Sequence, residues 1–283
     1  MSELFLRDRT LSQFRFLEKD EEIATAVAMM RKEVRDYVSA AGLQSLVVGI
    51  SGGVDSAFAV ALLHPVCQEL GIPLRGRSIT IETNKADEIR RSKAVGAAFC
   101  DDFQYLDYTG LFLPFRSRMP DMDDTKLSKL RQGNVKARIR MMVLYDLAQQ
   151  GRGMVISTDN FTEYLTGFWT LHGDVGDYAP FINLWKTEVY AACRYLCRSL
   201  SQAEREALQS CIDAVPTDGL GISSSDLEQL GVPTYAEVDR MFWEYFNGRR
   251  ELASNVLIQR YLSAEYKRKN PVCIDRSVLL GVR

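Results

Sequence analysis

The sequence lacks any long hydrophobic run. Its longest, such as Ala57–Leu63, fall far short of the roughly 20 apolar residues a bilayer-crossing helix requires. An excess of charge of one sign is missing too. Thirty-five Lys and Arg stand against 37 Asp and Glu, which leaves no broad basic surface for non-specific nucleic-acid binding. The opening residues MSELFLRDRT carry charges where a secretory signal would be apolar, so the protein is read as cytoplasmic. Histidine is scarce, with only His64 and His172. The six cysteines (Cys67, Cys100, Cys193, Cys197, Cys211 and Cys273) contain no C-x-x-C pair, a chain of this length needs no disulfide staples, and only the two histidines could complete a soft metal site. Cys193 and Cys197 lie one helical turn apart in an apolar stretch and read as core. A Walker loop and the G-x-G-x-x-G of dinucleotide folds are both absent. No internal repeat or low-complexity tract interrupts the chain. Its 283 residues are read as one domain, 1–283, long enough to bury a substantial core.

What is present is an alternation. Four β-type runs, Ser45–Ile50, Ser78–Ile81, Phe103–Asp107 and Gly153–Ser157, are separated by helical stretches at Ser56–Leu70, Lys85–Ala98 and about 128–149. This pattern predicts an α/β fold, a parallel sheet with helices on both faces. A helix over Glu21–Ala41, closed by Gly42, precedes the first strand. Beyond Thr187 the pattern turns helical, with candidates at Thr187–Leu200, Gln202–Cys211, Tyr235–Phe246 and Leu252–Arg268. The mixed stretch Thr109–Lys126, with two prolines, reads as a surface loop.

The strongest local feature is Gly49-Ile50-Ser51-Gly52-Gly53-Val54-Asp55-Ser56, directly after the first strand and opening a helix. The glycines let backbone N–H groups approach a ligand, the helix start adds unpaired donors and a favourable dipole, and Ser51 and Ser56 add hydroxyls. Together they suit a pyrophosphate; a plain strand-to-helix turn capped by Asp55 is the bland alternative.

Three later segments add chemistry. Gly133–Met141 falls on a helix with an apolar stripe of Ala137, Met141, Leu144 and Ala148. Asn134 and Arg138, at i and i+4, share another face and either point at a ligand or form a solvated basic surface. Ile156–Phe168 runs from the fourth strand's end into a polar turn, at the sheet edge where the glycine loop also lies, so Thr158 and Glu163 can meet Asp55. Two carboxylates beside a triphosphate suit Mg²⁺, although Glu163 alone also reads as a helix-start acid. Gly173–Pro180 carries Asp174 and Asp177, either site residues or turn formers, and Lys186 precedes a helix where a cation is poorly placed for the dipole.

The S-G-G-x-D-S motif resembles that of the N-type ATP pyrophosphatases. Taken with G-N-x-K-A-R-x-R-M, the E-x-x-x-G-[FY]-x-T-x-x-G-D segment, the later K-T and the tail Tyr266-Lys267-Arg268…Pro271, the chain resembles the ammonia-dependent NAD synthetase family from about Gly49 to Pro271. The resemblance implies an adenine nucleotide α-hydrolase-like fold and a two-step amidation of deamido-NAD that consumes ATP and releases AMP and pyrophosphate. It implies that Gly49, Ile50, Ser51, Gly52, Gly53, Val54, Asp55 and Ser56 hold the ATP phosphates, with Thr158, Lys186 and Thr217 also on ATP. Asp55 and Glu163 would ligate Mg²⁺. Asn134, Arg138, Asp177, Tyr266 and Lys267 would contact deamido-NAD, and Phe168 would stack on the nicotinate. Asp174 and Lys186 are the catalytic candidates, Asp174 to receive or position ammonia. A homodimer with deamido-NAD bound across the interface is implied as well, with ammonia rather than glutamine as donor and no glutaminase domain. A separate glutaminase partner is not indicated.

The chain departs from the family pattern at Lys85, where a Gln is usual, at Leu171 for a Lys, at Tyr266 for a His, and at Ser157-Thr158 for Gly-Thr. Lys85 and Glu82 mark either a rebuilt nucleotide pocket or an exposed helix start. Two rival functions stand beside the first: another amidating pyrophosphatase acting on a related small carboxylate, and a catalytically inactive nucleotide-binding protein.

Overall fold

Four parallel strands, β1 (Leu46–Gly49), β2 (Leu74–Thr80), β3 (Asp102–Asp107) and β4 (Met154–Val155), pair in the order β3-β2-β1-β4. The computed structural model describes residues 14–82, 84–121, 123, 125–217 and 225–282. The charged opening residues Met1–Thr10 and Thr83 of the divergent segment therefore lie outside the described residues.

Strand alternation sets the layers. Leu46 and Val48 of β1 point into a core shared with α1 (Asp20–Ala41), α2 (Val54–Leu70), α3 (Ala86–Phe99) and, further along, α7 (Lys186–Leu196) and α8 (Gln202–Ile212). Val47 points the other way, into a core with Phe112 of α4 (Thr109–Arg116), Met141, Leu144 and Ala148 of α5 (Lys126–Gln150), and Val155. Burying a side chain such as Phe58 or Phe112 contributes about 1.5–3 kcal/mol. The chain steps outward from β1 to β2 to β3, then returns to place β4 on the far side of β1. That reversal opens a crevice beyond the carboxyl ends of β1 and β4, and both the glycine loop and the 156–163 segment leave the sheet there.

The C-terminal part is helical and has its own core. It gathers α6 (Phe161–Thr166), α9 (Asp226–Leu230), α10 (Tyr235–Phe246), a 3₁₀ turn at Arg250–Ser254, α11 (Val256–Ser263), α12 (Glu265–Arg268) and α13 (Arg276–Leu279). Phe161, Leu165, Trp185, Val238, Phe242, Leu257, Ile258 and Tyr261 fill that core.

Four expectations need correction. The stretch read as a loop over Thr109–Lys126 holds α4, because Phe112 is buried and draws the segment onto the sheet. The single helix expected over Leu252–Arg268 is broken at Asn255, whose side chain accepts from Leu257 N and starts a new helix. β2 begins at Leu74 rather than Ser78, since Arg77 is buried in a paired geometry with Asp102 (2.9 Å) that its charge concealed. The polar turn after β4 is helix α6, capped by Asn160. Among the described residues no helix is long and apolar enough to cross a membrane.

Candidate active site

A cavity of about 500 Å³ opens at the carboxyl ends of β1, β2 and β4. Gly49, Ile50, Ser51, Gly53, Val54, Asp55 and Ser56 form one wall. The turn that makes it is glycine-dependent: Gly52 has φ +86°, and a Cβ there would collide with the Glu88 carbonyl of α3. Gly52 does not itself line the cavity, and its carbonyl accepts from Arg91 Nε (2.9 Å). The hydroxyls brace the loop, with Gly53 N donating to Ser51 Oγ (3.2 Å) and Ser51 N to Ser56 Oγ (3.2 Å).

The floor is ionic. Lys186, at the first position of α7, buries its ammonium between Asp55 Oδ2 and Glu163 Oε1, the latter at 3.0 Å. The ring of Tyr235 lies 5.1 Å from the same nitrogen. Burial alone would push the Lys186 pKa down, but the charges of Asp55 and Glu163 outweigh it and hold the group well above its ordinary value. Asp55 Oδ1 accepts from Asn160 Nδ2 (2.9 Å). Asn160 also caps α6 by accepting from Glu163 N (3.1 Å), so one side chain sets both carboxylates. Glu163 is pushed up by burial and by the neighbouring Asp55 and Asp159.

Other residues of the cavity are cationic and aromatic. Lys267 Nζ donates to the carbonyls of Gly167 (2.8 Å) and Trp169 (2.5 Å), and Arg138 Nε to that of Leu171 (3.2 Å). Arg260 lies over the Phe168 ring at 5.1 Å. Asn134 Oδ1 accepts from Thr170 Oγ1 (2.8 Å), and Asp174 Oδ1 accepts from Thr170 N (2.9 Å). These bonds pin the segment 167–174 against α5 and α12. Burial, with the charge of Glu163 nearby, pushes Asp174 up to about 7.

The structure brings Thr158, Glu163, Lys186, Thr217, Asn134, Arg138, Phe168, Asp174, Tyr266 and Lys267 to this one cavity. Thr217 Oγ1 donates to Glu88 Oε1 (2.7 Å) at its edge. Asp177 does not line the cavity. It accepts from Val155 N (2.9 Å) on the β4 edge and lies beside the half-exposed Tyr145 of α5. Lys85 is exposed at the start of α3 and does not line the cavity.

Sequence reasoning missed Asp159, Asn160, Asn84 and Arg140. For Asn160 a signal was available, since Asn followed three residues later by Glu is a capping-box spacing. Asp159 lines the cavity, and burial together with the charge of Asp174 pushes it up to about 7.

Among the described residues no group of three or more His, Cys, Asp or Glu could enclose a metal ion. The donor set nevertheless fits Mg²⁺, which commonly takes one or two carboxylates and completes its shell with phosphate oxygens and water. Asp55 and Glu163 already share one cation, the Lys186 ammonium, beside the glycine loop.

A parallel four-stranded sheet with helices on both faces and a glycine loop at its switch point is the adenine nucleotide α-hydrolase-like fold. The sequence model for NAD synthase matches residues 26–271, and the chain belongs to the NAD synthase family, carbon–nitrogen ligases. It is 36% identical over 202 residues to the NH(3)-dependent NAD(+) synthetase of Methanococcoides burtonii, covering 71% of each chain. It is 30% identical to that of Methanosarcina acetivorans, over 84% of this chain and 93% of the relative. In fold it is similar to NMN synthetase from Francisella tularensis (TM-score 0.72, 23% identity, 89% of this chain and 98% of that one). It is also similar to NH3-dependent NAD synthetase from Campylobacter jejuni (TM-score 0.67, 20% identity, 89% and 99%).

Proposed function

We propose that the chain amidates deamido-NAD with free ammonia, cleaving ATP to AMP and pyrophosphate. The observation that carries this reading is the Lys186–Asp55–Glu163 cluster beside the Ser51–Ser56 loop, in a cavity also lined by Arg138, Phe168, Arg260 and Lys267. The loop N–H groups and the α2 start receive the ATP phosphates. A nicotinate oxygen attacks the α-phosphorus, and the α–β bridging bond breaks to release pyrophosphate. Ammonia then adds to the acyl carbon, the carbon–oxygen bond to AMP breaks, and the extra proton passes to Asp174, whose value near 7 suits that exchange. Lys186 supplies positive charge at the phosphates, and the pinned segment 167–174 holds Phe168 as a stacking surface for the nicotinate ring. Asp55 and Glu163 would hold Mg²⁺, which would offset phosphate charge when bound.

The same reading takes the protein as a cytoplasmic homodimer with the whole chain as one unit. Met142, Tyr145, Leu127 and Leu130 leave an exposed apolar stripe on α5, which supports a second copy there. Asp177 lies beside Tyr145, outside its own chain's cavity, which suits a substrate spanning two subunits.

The test is product analysis with ATP, Mg²⁺ and either deamido-NAD or nicotinate mononucleotide, with ammonium or glutamine as sole nitrogen source. NAD, AMP and pyrophosphate in equal amounts are expected from deamido-NAD and ammonium. Preference for the mononucleotide, or efficient turnover of glutamine without ammonium, would overturn the reading.

A further inference from the structure

Before α1 the chain runs as a short arm, residues 14–19, which precedes the stretch matched by the family model and packs on the core of the helical part. Phe14 is buried there, its ring 4.7 Å from that of Phe246 on α10 and 6.0 Å from that of Phe161. Phe16 lies 5.3 Å from Trp185, and Trp185 meets Phe161 edge-on at 4.7 Å. Phe161 opens α6 two residues before Glu163, and Trp185 is the N-cap of α7, immediately before Lys186. The two helix starts are tied together by Phe161 N donating to Leu184 O (2.7 Å) and Lys186 N donating to Thr162 Oγ1 (2.9 Å). Glu188, buried on α7, adds the arm to this junction. Its Oε1 accepts from Leu17 N (2.6 Å) and its Oε2 from Trp185 N (2.9 Å). The other end of the arm is held on α1, where Glu22 accepts from Arg15 Nη1 (2.7 Å), Glu18 N (3.0 Å) and Lys19 N (3.2 Å). Apolar side chains alone would suffice to cover a core. A buried carboxylate that grips the arm's backbone costs desolvation, and this one is placed one turn from the ammonium at the cavity floor.

We propose that the arm is a strap that sets the separation of the α6 and α7 starts, with Phe14 and Glu188 as positioning residues that act through Phe161 and Trp185 on Glu163 and Lys186. This rests on the reading of Lys186 as the cation at the ATP phosphates. Displacing its ammonium from Glu163 weakens charge stabilisation where the reaction develops it, so the effect falls on turnover rather than on substrate binding. Glu188→Gln is the mild variant: it keeps one acceptor oxygen but turns an NH₂ toward the other backbone donor. Phe14→Ala empties the arm's anchor, and Phe14→Leu keeps most of its volume.

The experiment measures kcat and KM for pyrophosphate release from ATP with deamido-NAD and ammonium, beside chemical denaturation, for the full chain and these three variants. Val38→Ala, in the last turn of α1 and in the other core, is the control for lost stability alone. Phe14→Ala and Glu188→Gln are expected to lower kcat on the order of tenfold, the scale of a small misplacement of a catalytic group, with KM for deamido-NAD near that of wild type. Phe14→Leu should recover most of the rate, and Val38→Ala should keep it. If Phe14→Ala does not fold, Glu188→Gln and Phe14→Leu carry the comparison. Wild-type kcat in Glu188→Gln and in the Phe14 variants that fold, whatever their stability, would reduce the arm to a cover for the core and overturn the proposal. So would an equal loss of kcat in Val38→Ala. Absence of pyrophosphate release by the wild-type chain would instead sink the reading of Lys186, and this inference with it.

Discussion

Lys186 and Asp55 are 131 residues apart in sequence, yet the ammonium of one rests on the carboxylate of the other at the floor of the cavity. Glu163 closes the same contact from α6 at 3.0 Å. All three side chains are nearly buried, so their charges are worth far more to one another than at a surface. Replacing Lys186 by Met leaves two carboxylates facing each other without a cation. We expect pyrophosphate release to vanish and stability to fall by about 3–5 kcal/mol at pH 8 in chemical denaturation. The sign with pH follows. Uncompensated buried carboxylates have raised pKa values, so the folded state takes up protons as pH falls and the deficit should shrink at pH 5.5. An equal deficit at both values would contradict the ionic account.

Asp55→Asn tests the same cluster from the other side. The amide keeps an acceptor for one neighbour and loses the charge. Pyrophosphate release should drop at least ~100-fold, the scale of removing one charge-stabilising group, with an unchanged far-ultraviolet circular dichroism spectrum. Near-wild-type release would remove Asp55 from the phosphate chemistry.

Asp174 gives a pH-dependent outcome. Burial pushes it up to about 7, and the proton acceptor is the ionised form. Activity carried by it is therefore present above about 7 and lost as pH falls through that value. At constant free ammonia, kcat should rise with pH through about 7 and level off. Asp174→Asn keeps an acceptor for Thr170 N, so it should fold, lose rate and show a flat profile in this window. A variant that retains the wild-type limb would place the titrating group elsewhere, with Asp159 as the next candidate.

Asp239 couples the helical part to the site. It is fully buried on α10 and accepts from Thr162 Oγ1, Thr187 N (3.1 Å) and Thr187 Oγ1 (2.8 Å). Thr162 Oγ1 in turn accepts from Lys186 N (2.9 Å). Asp239→Ala strands these donors and should cost about 2–4 kcal/mol in thermal or chemical unfolding. Lys186 loses its seat at the same time, so kcat should fall as well. Full activity in a destabilised Asp239→Ala protein would separate the two roles.

The sheet and the glycine loop were legible in the sequence because β1 is a continuous apolar run and Gly52 occupies a turn only glycine fits. β2 was half hidden, since Arg75 and Arg77 look like surface residues until Asp102 on β3 pairs with them. The site was legible as a set of motifs but not as a geometry. No spacing along the chain tells that Lys186 lies between Asp55 and Glu163, or that Asp177 lies outside the cavity. Asn160 and Asn84 were overlooked because their roles come from hydrogen bonds between distant segments, Asp55 in one case and Arg140 in the other.

Lys85 supplies the last test, where sequence left two readings open. It replaces the glutamine usual in the family, which suggested a rebuilt nucleotide pocket. In the structure its side chain is exposed, and the residue serves as the N-cap of α3, where Lys85 N donates to Glu88 Oε2 (3.1 Å). That bond comes from the backbone and survives any side chain. Asn84, one position earlier, is the residue that lines the cavity. An exposed lysine outside the cavity offers only screened, long-range attraction to a nucleotide, worth little at physiological salt. Lys85→Gln should therefore leave the KM for ATP within about twofold of wild type at moderate ionic strength. A large KM change for Lys85→Gln that persists in high salt would mean that the loop closes over the nucleotide and brings Lys85 inside.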